Sequence, residues 1–193
     1  NKIPIKVFTI DTGRQFQETY NVWRATNEKY GVNIKTYYPI AETVQTMLNE
    51  KGPNSFYESV ENRKECCFIR KVEPLNRALH GQKVWISGVR AEHSEKRSEM
   101  KQVEWDSQRQ MIKIYPLFYW SLQEIKSIIV NENIPYNELF DKGFTSIGCA
   151  PCSRAVKNGD DARSGRWWWE NNTDKECGIH IPEPFVQPTN WTI

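Results

Sequence analysis

The five cysteines of the chain fall into three groups, and their spacing suggests a metal site and a separate reactive thiol. Cys66 and Cys67 are adjacent, Cys149 and Cys152 form a C-x2-C motif, and Cys177 stands alone. An odd number of cysteines, two of them adjacent, is a poor disulfide framework for a chain of 193 residues. We therefore interpret these residues as reduced sulfur that binds a metal or reacts.

Four of the cysteines have the number and spacing of cluster ligands. Structural zinc sites usually draw their ligand pairs from C-x2-C or wider spacings, which let both sulfurs reach one ion, whereas adjacent cysteines reach one ion badly. In a [4Fe-4S] cluster each thiolate binds a different iron, so adjacent side chains can occupy adjacent corners. The pattern favours a [4Fe-4S] cluster, while a zinc site and a set of buried thiols without metal remain alternatives. The candidate ligands are Cys66, Cys67, Cys149 and Cys152.

Cys177 is the cysteine that this partition leaves over. It lies between Glu176 and Gly178, with His180 three positions later. A reactive thiol needs exposure and nearby cations, because cations lower the pKa of the thiol and the thiolate is the nucleophile. The local sequence is equally compatible with a nucleophile and with a spare surface cysteine.

Cations follow both candidate ligand pairs. Arg70 and Lys71 come about one helical turn after the adjacent cysteines, Arg163 and Arg166 follow the C-x2-C motif, and Arg90 ends a predicted strand. Arginine forks grip phosphate and sulfate oxygens. These residues therefore predict a site for a small, multiply charged anion.

The overall charge of the chain argues against bulk attraction to nucleic acid. There are 26 Lys and Arg against 24 Asp and Glu, for a net charge of +2. Such a balance gives no broad basic surface. No apolar run approaches the ~20 residues that span a bilayer. We expect a protein without nucleic-acid or membrane partners, in a reducing compartment and most simply in the cytoplasm.

The elements that position these residues alternate along the chain. Strands are predicted at Ile5–Ile10, Asn33–Tyr38 and Lys83–Val89, and helices at Gln15–Tyr30, Ala41–Glu50, Glu65–Leu79 and after the capping box Ser121–Glu124. Pro74 is expected to kink the third helix or to start a new one. This alternation predicts an α/β fold with a mainly parallel, layered sheet.

The composition predicts a single domain over residues 1–193. Its parts are an α/β core at 1–145, a cysteine loop and tail at 146–180, and a mobile C-terminus at 181–193.

Six motifs in order resemble the assimilatory adenylyl-sulfate (APS) reductases, which belong to the PAPS/APS reductase family. They are Asp11-Thr-Gly-Arg14, Cys66-Cys67 followed by Arg70-Lys71, Gly88-x-Arg90, Cys149-x-x-Cys152, Arg163-x-x-Arg166-Trp-Trp-Trp-Glu170 and Glu176-Cys-Gly-x-His180. The resemblance runs from about Ile3 to His180. It implies a PP-loop nucleotide-binding fold of the adenine nucleotide alpha hydrolase type, with helices on both faces of the sheet. The family opens with a strand and a phosphate-binding loop that do not precede Ile3 here, so we expect both to be missing from this sequence.

The resemblance also implies a mechanism in two steps. The Cys177 thiolate attacks the sulfur of bound APS, AMP leaves, and an S-sulfocysteine remains. Thioredoxin or glutaredoxin then releases sulfite, while the [4Fe-4S] cluster organises the site without shuttling electrons. By this resemblance Lys71, Arg163, Arg166 and His180 contact the phosphosulfate, Asp11, Thr12 and Arg14 lie at the nucleotide-binding end of the sheet, and Arg90 also binds substrate.

Other functions remain open at this stage. The cluster cysteines favour APS, but phosphoadenylyl sulfate (PAPS) or both nucleotides are alternatives. A PP-loop tRNA thiolase with a [4Fe-4S] cluster and a non-enzymatic redox sensor are more distant ones. The sequence does not determine the oligomeric state, and a homo-oligomer is compatible with it.

Overall fold

The computed structural model describes residues 5–157, 159–171 and 179. It divides into two compact units that are interleaved along the chain. Unit 1 comprises Asn1–Val7, Arg14–Lys35 and Leu79–Trp168, and unit 2 comprises Phe8–Gly13, Thr36–Ala78 and Trp169–Ile193. The single domain at 1–193 and its subdivision stay predictions.

Helices and short strands alternate through the described chain, which confirms the predicted α/β class. The α-helices are α1 Gln17–Tyr30, α2 Ala41–Lys51, α3 Val60–Cys67, α4 Glu73–Leu79, α5 Glu95–Ser98 and α6 Leu122–Asn131. The strands are β1 Phe8–Ile10, β2 Lys35–Tyr37, β3 Val84–Ile86, β4 Val103–Asp106 and β5 Met111–Ile114. None of the helices in this described part is long and apolar enough to cross a membrane.

The helix ends follow the signals in the sequence. Gly31 closes α1 in the left-handed conformation, with φ of 61°. At the start of α6, the Ser121 hydroxyl accepts a hydrogen bond from the Glu124 amide, and the Glu124 carboxylate accepts one from the Ser121 amide. Both predicted helix signals are therefore present in the structure.

The helix predicted at Glu65–Leu79 begins earlier and changes type along its length. α3 starts at Val60, a π turn occupies Phe68–Val72, and α4 begins at Glu73. Pro74 has no amide hydrogen, and its ring would crowd the carbonyl of residue 70 in a regular α-helix. The wider π turn ends two residues before this proline, and a new helix starts at Glu73, which is one of the two predicted outcomes.

The strands form two small sheets. One pairs β1 with β2, and the other has the order β3-β5-β4. β3 is parallel to β5, whereas β4 is antiparallel to β5. β4 and β5 were not predicted from the sequence.

β4 and β5 have charged residues at inward positions and apolar residues at outward positions, and this is why they could not be predicted from the sequence. Asp106 and Lys113 point inward and are 5% and 6% exposed, while the outward-facing Val103, Trp105 and Ile112 are apolar. The Lys113 ammonium lies 3.5 Å from the Glu104 carboxylate and 3.9 Å from that of Asp106. Although Met111 on the inward face is fully buried, ion-paired charges therefore interrupt the apolar side that strand patterns normally reveal.

Candidate functional site

The adjacent cysteines end α3 in unit 2. The Ser59 hydroxyl caps this helix by accepting a hydrogen bond from the Asn62 amide at 3.1 Å. Cys67 is buried and Cys66 is half-buried, and both are thiols. α3 therefore presents two neighbouring reduced sulfurs.

Two cations follow these cysteines in the π turn, and both are buried. Arg70 is 5% exposed and Lys71 is 7% exposed. Arg70 donates from Nη1 to the Thr12 carbonyl at 2.7 Å, whereas its buried Nε has no hydrogen-bond acceptor within the part of the chain that the structure describes. A buried charge is costly unless an opposite charge or hydrogen bonds compensate it. Unit 2 thus holds positive charge that suits an anion.

The turn after β1 lies beside these cations in the same unit. The Asp11 carboxylate accepts a hydrogen bond from the Gly13 amide at 2.8 Å, and Gly13 has φ of 70°. A β-carbon at Gly13 would collide with the Tyr38 hydroxyl, so the turn requires glycine on two grounds. Thr12 is 1% exposed. The contact from Arg70 to Thr12 therefore brings the predicted nucleotide-binding residues Asp11 and Thr12 to the buried cations.

The C-x2-C motif lies in unit 1 on a tight 3-10 turn. Cys149 and Cys152 are both buried, at 6% and 8% exposed, and both are thiols. The Ala150 amide donates a hydrogen bond to the Arg14 carbonyl at 2.8 Å. The backbone of Arg14, another predicted substrate residue, is therefore fixed at this cysteine turn.

Arg166 is the cation most closely tied to the cysteine turn. It is 5% exposed, and it donates from Nε to the Cys152 carbonyl at 3.1 Å and from Nη1 to the Ser146 hydroxyl at 3.5 Å. Its guanidinium lies against the α-carbon of Gly148 and 4.6 Å from the centre of the Trp167 ring. The buried Nη2 has no hydrogen-bond partner among the described residues. This leaves a buried N–H donor on a positive charge beside the cysteine turn.

The tryptophan run packs around the same turn. Trp167 is fully buried, its amide donates to the Cys152 carbonyl at 3.4 Å, and the Arg163 guanidinium lies 6.0 Å from its ring centre. Arg154 lies 5.0 Å from the centre of the Trp168 ring. Arg163 and Arg166, the two predicted anion-binding residues that follow the C-x2-C motif, therefore both lie near the Trp167 ring.

Arg90 is held by other groups of unit 1. Its Nη1 donates to the Glu92 carboxylate at 2.7 Å and to the Trp120 carbonyl at 3.0 Å. The same Glu92 oxygen accepts from the Leu122 amide at 3.0 Å. The structure thus fixes Arg90 at the start of α6, and its role towards substrate stays a prediction.

Two predicted residues, Cys177 and His180, lie outside the described residues. In the described part, no group of three or more His, Cys, Asp or Glu side chains is placed so that it could hold a metal ion. Gly148 had no predicted role, although its place directly before Cys149 was a usable signal. Glu170 belongs to a predicted motif but had no predicted role of its own.

Known proteins are similar to this chain over nearly its whole length. Residues 1–155 match the model of the phosphoadenosine phosphosulfate reductase domain. A protein of Allochromatium vinosum named adenosine 5'-phosphosulfate reductase is 45% identical over 182 residues, which are 94% of this chain and 71% of the relative. A protein of the same name from Neisseria meningitidis serogroup B is 46% identical, over 91% of this chain and 72% of the relative.

Among solved structures, a crystal structure of phosphoadenylyl-sulfate (PAPS) reductase from Candida auris, in complex with phosphate, is similar to this chain. The TM-score is 0.65 at 30% identity, and the match covers 80% of this chain and 73% of the other. The family model covers far more than half of the sequence, and the relatives align over more than two thirds of their own length. The chain belongs to the phosphoadenosine phosphosulfate reductase domain family.

Proposed function

We propose that this protein reduces adenylyl sulfate to sulfite and AMP in assimilatory sulfate reduction and cysteine biosynthesis. The observation that carries the proposal is Arg166, a buried cation on the C-x2-C turn with an N–H that has no acceptor among the described residues. An oxyanion of the substrate would supply that acceptor. The relatives named adenosine 5'-phosphosulfate reductase support adenylyl sulfate as the substrate.

The first step transfers the sulfur of the substrate to Cys177. Its thiolate attacks the sulfate sulfur, a sulfur–sulfur bond forms, and the bond from sulfur to the bridging phosphate oxygen breaks. AMP leaves with that electron pair, and Cys177 becomes an S-sulfocysteine. Charge grows on the leaving phosphate, so buried cations that meet it lower the barrier.

The second step needs a dithiol, which we assign to thioredoxin or glutaredoxin. Its thiolate attacks the Cys177 sulfur, a mixed disulfide forms, and sulfite leaves with the electron pair of the broken sulfur–sulfur bond. The second thiol of the donor then displaces Cys177 and regenerates its thiolate. The donor ends as a disulfide and has supplied both electrons.

The substrate contacts are assigned by charge and by motif. Lys71, Arg163, Arg166 and His180 would bind the phosphosulfate, and Arg90 would join them. Asp11, Thr12 and Arg14 would bind the nucleotide, since ligands of such sheets bind beyond the carboxyl ends of strands. The contact of Arg70 with Thr12 and the contact of Ala150 with Arg14 support this grouping, each within its own unit.

We further propose a [4Fe-4S] cluster on Cys66, Cys67, Cys149 and Cys152. The donor type fits, because all four are thiols and three are buried, although no three His, Cys, Asp or Glu side chains of the described residues are placed together as metal ligands. The adjacent pair and the C-x2-C pair each lie next to buried cations of their own unit. When bound, such a cluster would order the cysteine segments and add to the electrostatics of the anion site. The odd number of cysteines, two of them adjacent, is a poor disulfide framework and also supports a cytoplasmic location.

PAPS reduction, alone or beside APS reduction, is the second candidate. The solved structure at 30% identity is of a PAPS reductase, and this supports a shared mode of sulfonucleotide binding. The two substrates differ by one phosphate, so the ratio of their kcat/KM values measures how far that phosphate raises or lowers the reaction barrier.

Sulfite release tests the proposed function. We expect sulfite and AMP in equal amounts from APS with reduced thioredoxin, and a higher kcat/KM for APS than for PAPS. A preference for PAPS would move the assignment to the second candidate. Absence of sulfite with either nucleotide, with iron present and tRNA bound, would favour a tRNA thiolase instead.

A further inference from the structure

Arg63 and Glu170 form a bidentate ion pair that is almost fully buried in unit 2. Arg63 Nε lies 2.8 Å from one carboxylate oxygen of Glu170, and Nη2 lies 3.0 Å from the other. The side chains are 1% and 4% exposed. Paired parallel hydrogen bonds of this kind fix the orientation of both partners as well as their distance.

The stability of the folded protein does not by itself explain why a buried ion pair stands at this position. Two buried charges lose their hydration, and well-packed apolar residues often stabilise a protein as much or more. Removal of one partner, in contrast, leaves an uncompensated buried charge. The pair therefore specifies one arrangement of the chain at Glu170.

A second contact anchors the neighbouring residue on the same unit. The Trp169 ring lies 4.4 Å from the Tyr57 ring and 6.0 Å from the Phe56 ring, measured between ring centroids. Phe56 is 2% exposed. Adjacent residues are thus held by an ion pair and by aromatic packing, so both the position and the direction of the chain are fixed at this point.

The anchor shares a helix with the adjacent cysteines and precedes Cys177 in the sequence. Arg63 is on α3, three and four residues before Cys66 and Cys67, which places it about one helical turn from the cysteine pair. Cys177 follows Glu170 by seven residues in the sequence. A span of seven residues reaches at most about 25 Å, so a fixed Glu170 limits where the thiol can go.

We propose that Arg63, Glu170 and Trp169 are positioning residues for the transfer of sulfur to Cys177. They anchor the segment that carries the nucleophile to the helix that carries the adjacent cysteines, without touching the substrate themselves. This inference rests on the proposed function. A small misplacement of a nucleophile lowers the rate of its reaction while substrate affinity remains.

Glu170→Gln in the full-length holoprotein tests the anchor, because it removes the charge at nearly constant shape. S-sulfocysteine formation on Cys177 is followed by rapid quench and intact mass at saturating APS, before any reductant is added. We expect a loss of about 10- to 100-fold in this first-order rate. Affinity for AMP, iron per chain and alkylation of Cys177 by iodoacetamide should stay near the wild-type values, since none of them requires the aligned thiol.

Two further variants separate positioning from folding. Glu170→Asp keeps the carboxylate and should recover part of the rate, and Trp169→Phe weakens the aromatic contact alone and should also slow the step. Glu138→Gln is the matched control, because Glu138 makes an exposed ion pair with Lys142 at 3.6 Å.

The outcomes are distinct. Wild-type rates in Glu170→Gln and Trp169→Phe would overturn the inference, and so would a rate loss that merely parallels loss of AMP affinity and iron. If Glu170→Gln does not fold, Glu170→Asp and Trp169→Phe decide in the same way. Failure of the wild-type protein to form the adduct would instead overturn the proposed function together with this inference.

Discussion

The guanidinium of Arg166 lies so close to the α-carbon of Gly148 that a β-carbon at residue 148 would be 2.6 Å from Arg166 Cζ. Every side chain larger than hydrogen at this position therefore displaces the arginine. The Arg166 contacts with Cys152 and Ser146 would be lost or lengthened in turn.

Gly148→Ala is expected to raise the KM for APS by about 10- to 100-fold, which corresponds to one hydrogen bond from a charged group. Steady-state kinetics and AMP binding measure the change. Gly31→Ala is the control, because a β-carbon there meets open space and only the left-handed backbone of the α1 cap is strained. An unchanged KM in Gly148→Ala would contradict a role of Arg166 in binding.

Substitution of a proposed cluster ligand should remove iron, whereas substitution of Cys177 should leave iron in place. Cys149→Ser or Cys67→Ser is expected to lose iron, sulfide and the brown colour, because a thiolate ligand is removed. Cys177→Ser should keep all three and form no S-sulfo adduct. Metal analysis, visible absorbance and intact mass give the readout. A colourless wild-type protein that contains zinc and is active would refute the cluster.

Asp106 gives a prediction that depends on pH. Burial opposes its ionisation, but hydrogen bonds from the Arg109 amide and guanidinium, both at 3.0 Å, and the charge of Lys113 outweigh burial and hold the pKa of Asp106 below its ordinary value. A lowered pKa in the folded state stabilises the fold fully above the ordinary carboxyl pKa of about 4, and this contribution is lost as the pH falls through the lowered value.

Asp106→Asn should therefore destabilise the protein by about 1–3 kcal/mol at neutral pH, and the difference from wild type should shrink below about pH 4. Urea unfolding across this pH range measures it. Asp160→Asn is the matched control, since Asp160 is exposed and its carboxylate accepts a 3.3 Å hydrogen bond from the Lys157 amide. A difference that grows towards acid pH would contradict the assignment.

The capping box of α6 gives a prediction on stability. Ser121→Ala removes the acceptor of the 3.2 Å bond from the Glu124 amide and should cost about 1 kcal/mol. For a chain of this size we expect the Tm to fall by about 2–4 °C. Ser127→Ala on the same helix loses only an exposed bond from its hydroxyl to the Gln123 carbonyl and should leave the Tm nearly unchanged. Equal shifts in both variants would argue against a special role of the cap.

The elements with explicit local signals could be predicted from the sequence. Gly31 and the pair Ser121 and Glu124 each specify a helix end through local hydrogen bonding, and local bonding can be read from neighbouring residues. β4 and β5 could not, because the inward charge of Lys113 is compensated by Glu104 and Asp106 across the hairpin. Such compensation depends on the pairing of strands, which the sequence does not display.

In the candidate site, too, contacts between residues close in sequence could be predicted, and contacts that depend on the fold could not. The spacing of Cys149 and Cys152 and the nearby Arg166 predicted an association that the structure contains in unit 1. The contact of Gly148 with Arg166 depends on the path of the backbone between them. The pairing of Arg63 with Glu170 joins residues 107 positions apart, and sequence spacing carries no information on it.

The π turn at Phe68–Val72 makes the length of this segment as important as its composition. Its backbone bond from the Glu73 amide to the Phe68 carbonyl spans five residues, where a regular α-helix spans four. Deletion of one residue here would restore the regular helix and rotate Arg70 and Lys71 relative to Cys66 and Cys67 by about 100°. We therefore expect that evolution or protein engineering can exchange the side chains of this turn far more easily than it can shorten it.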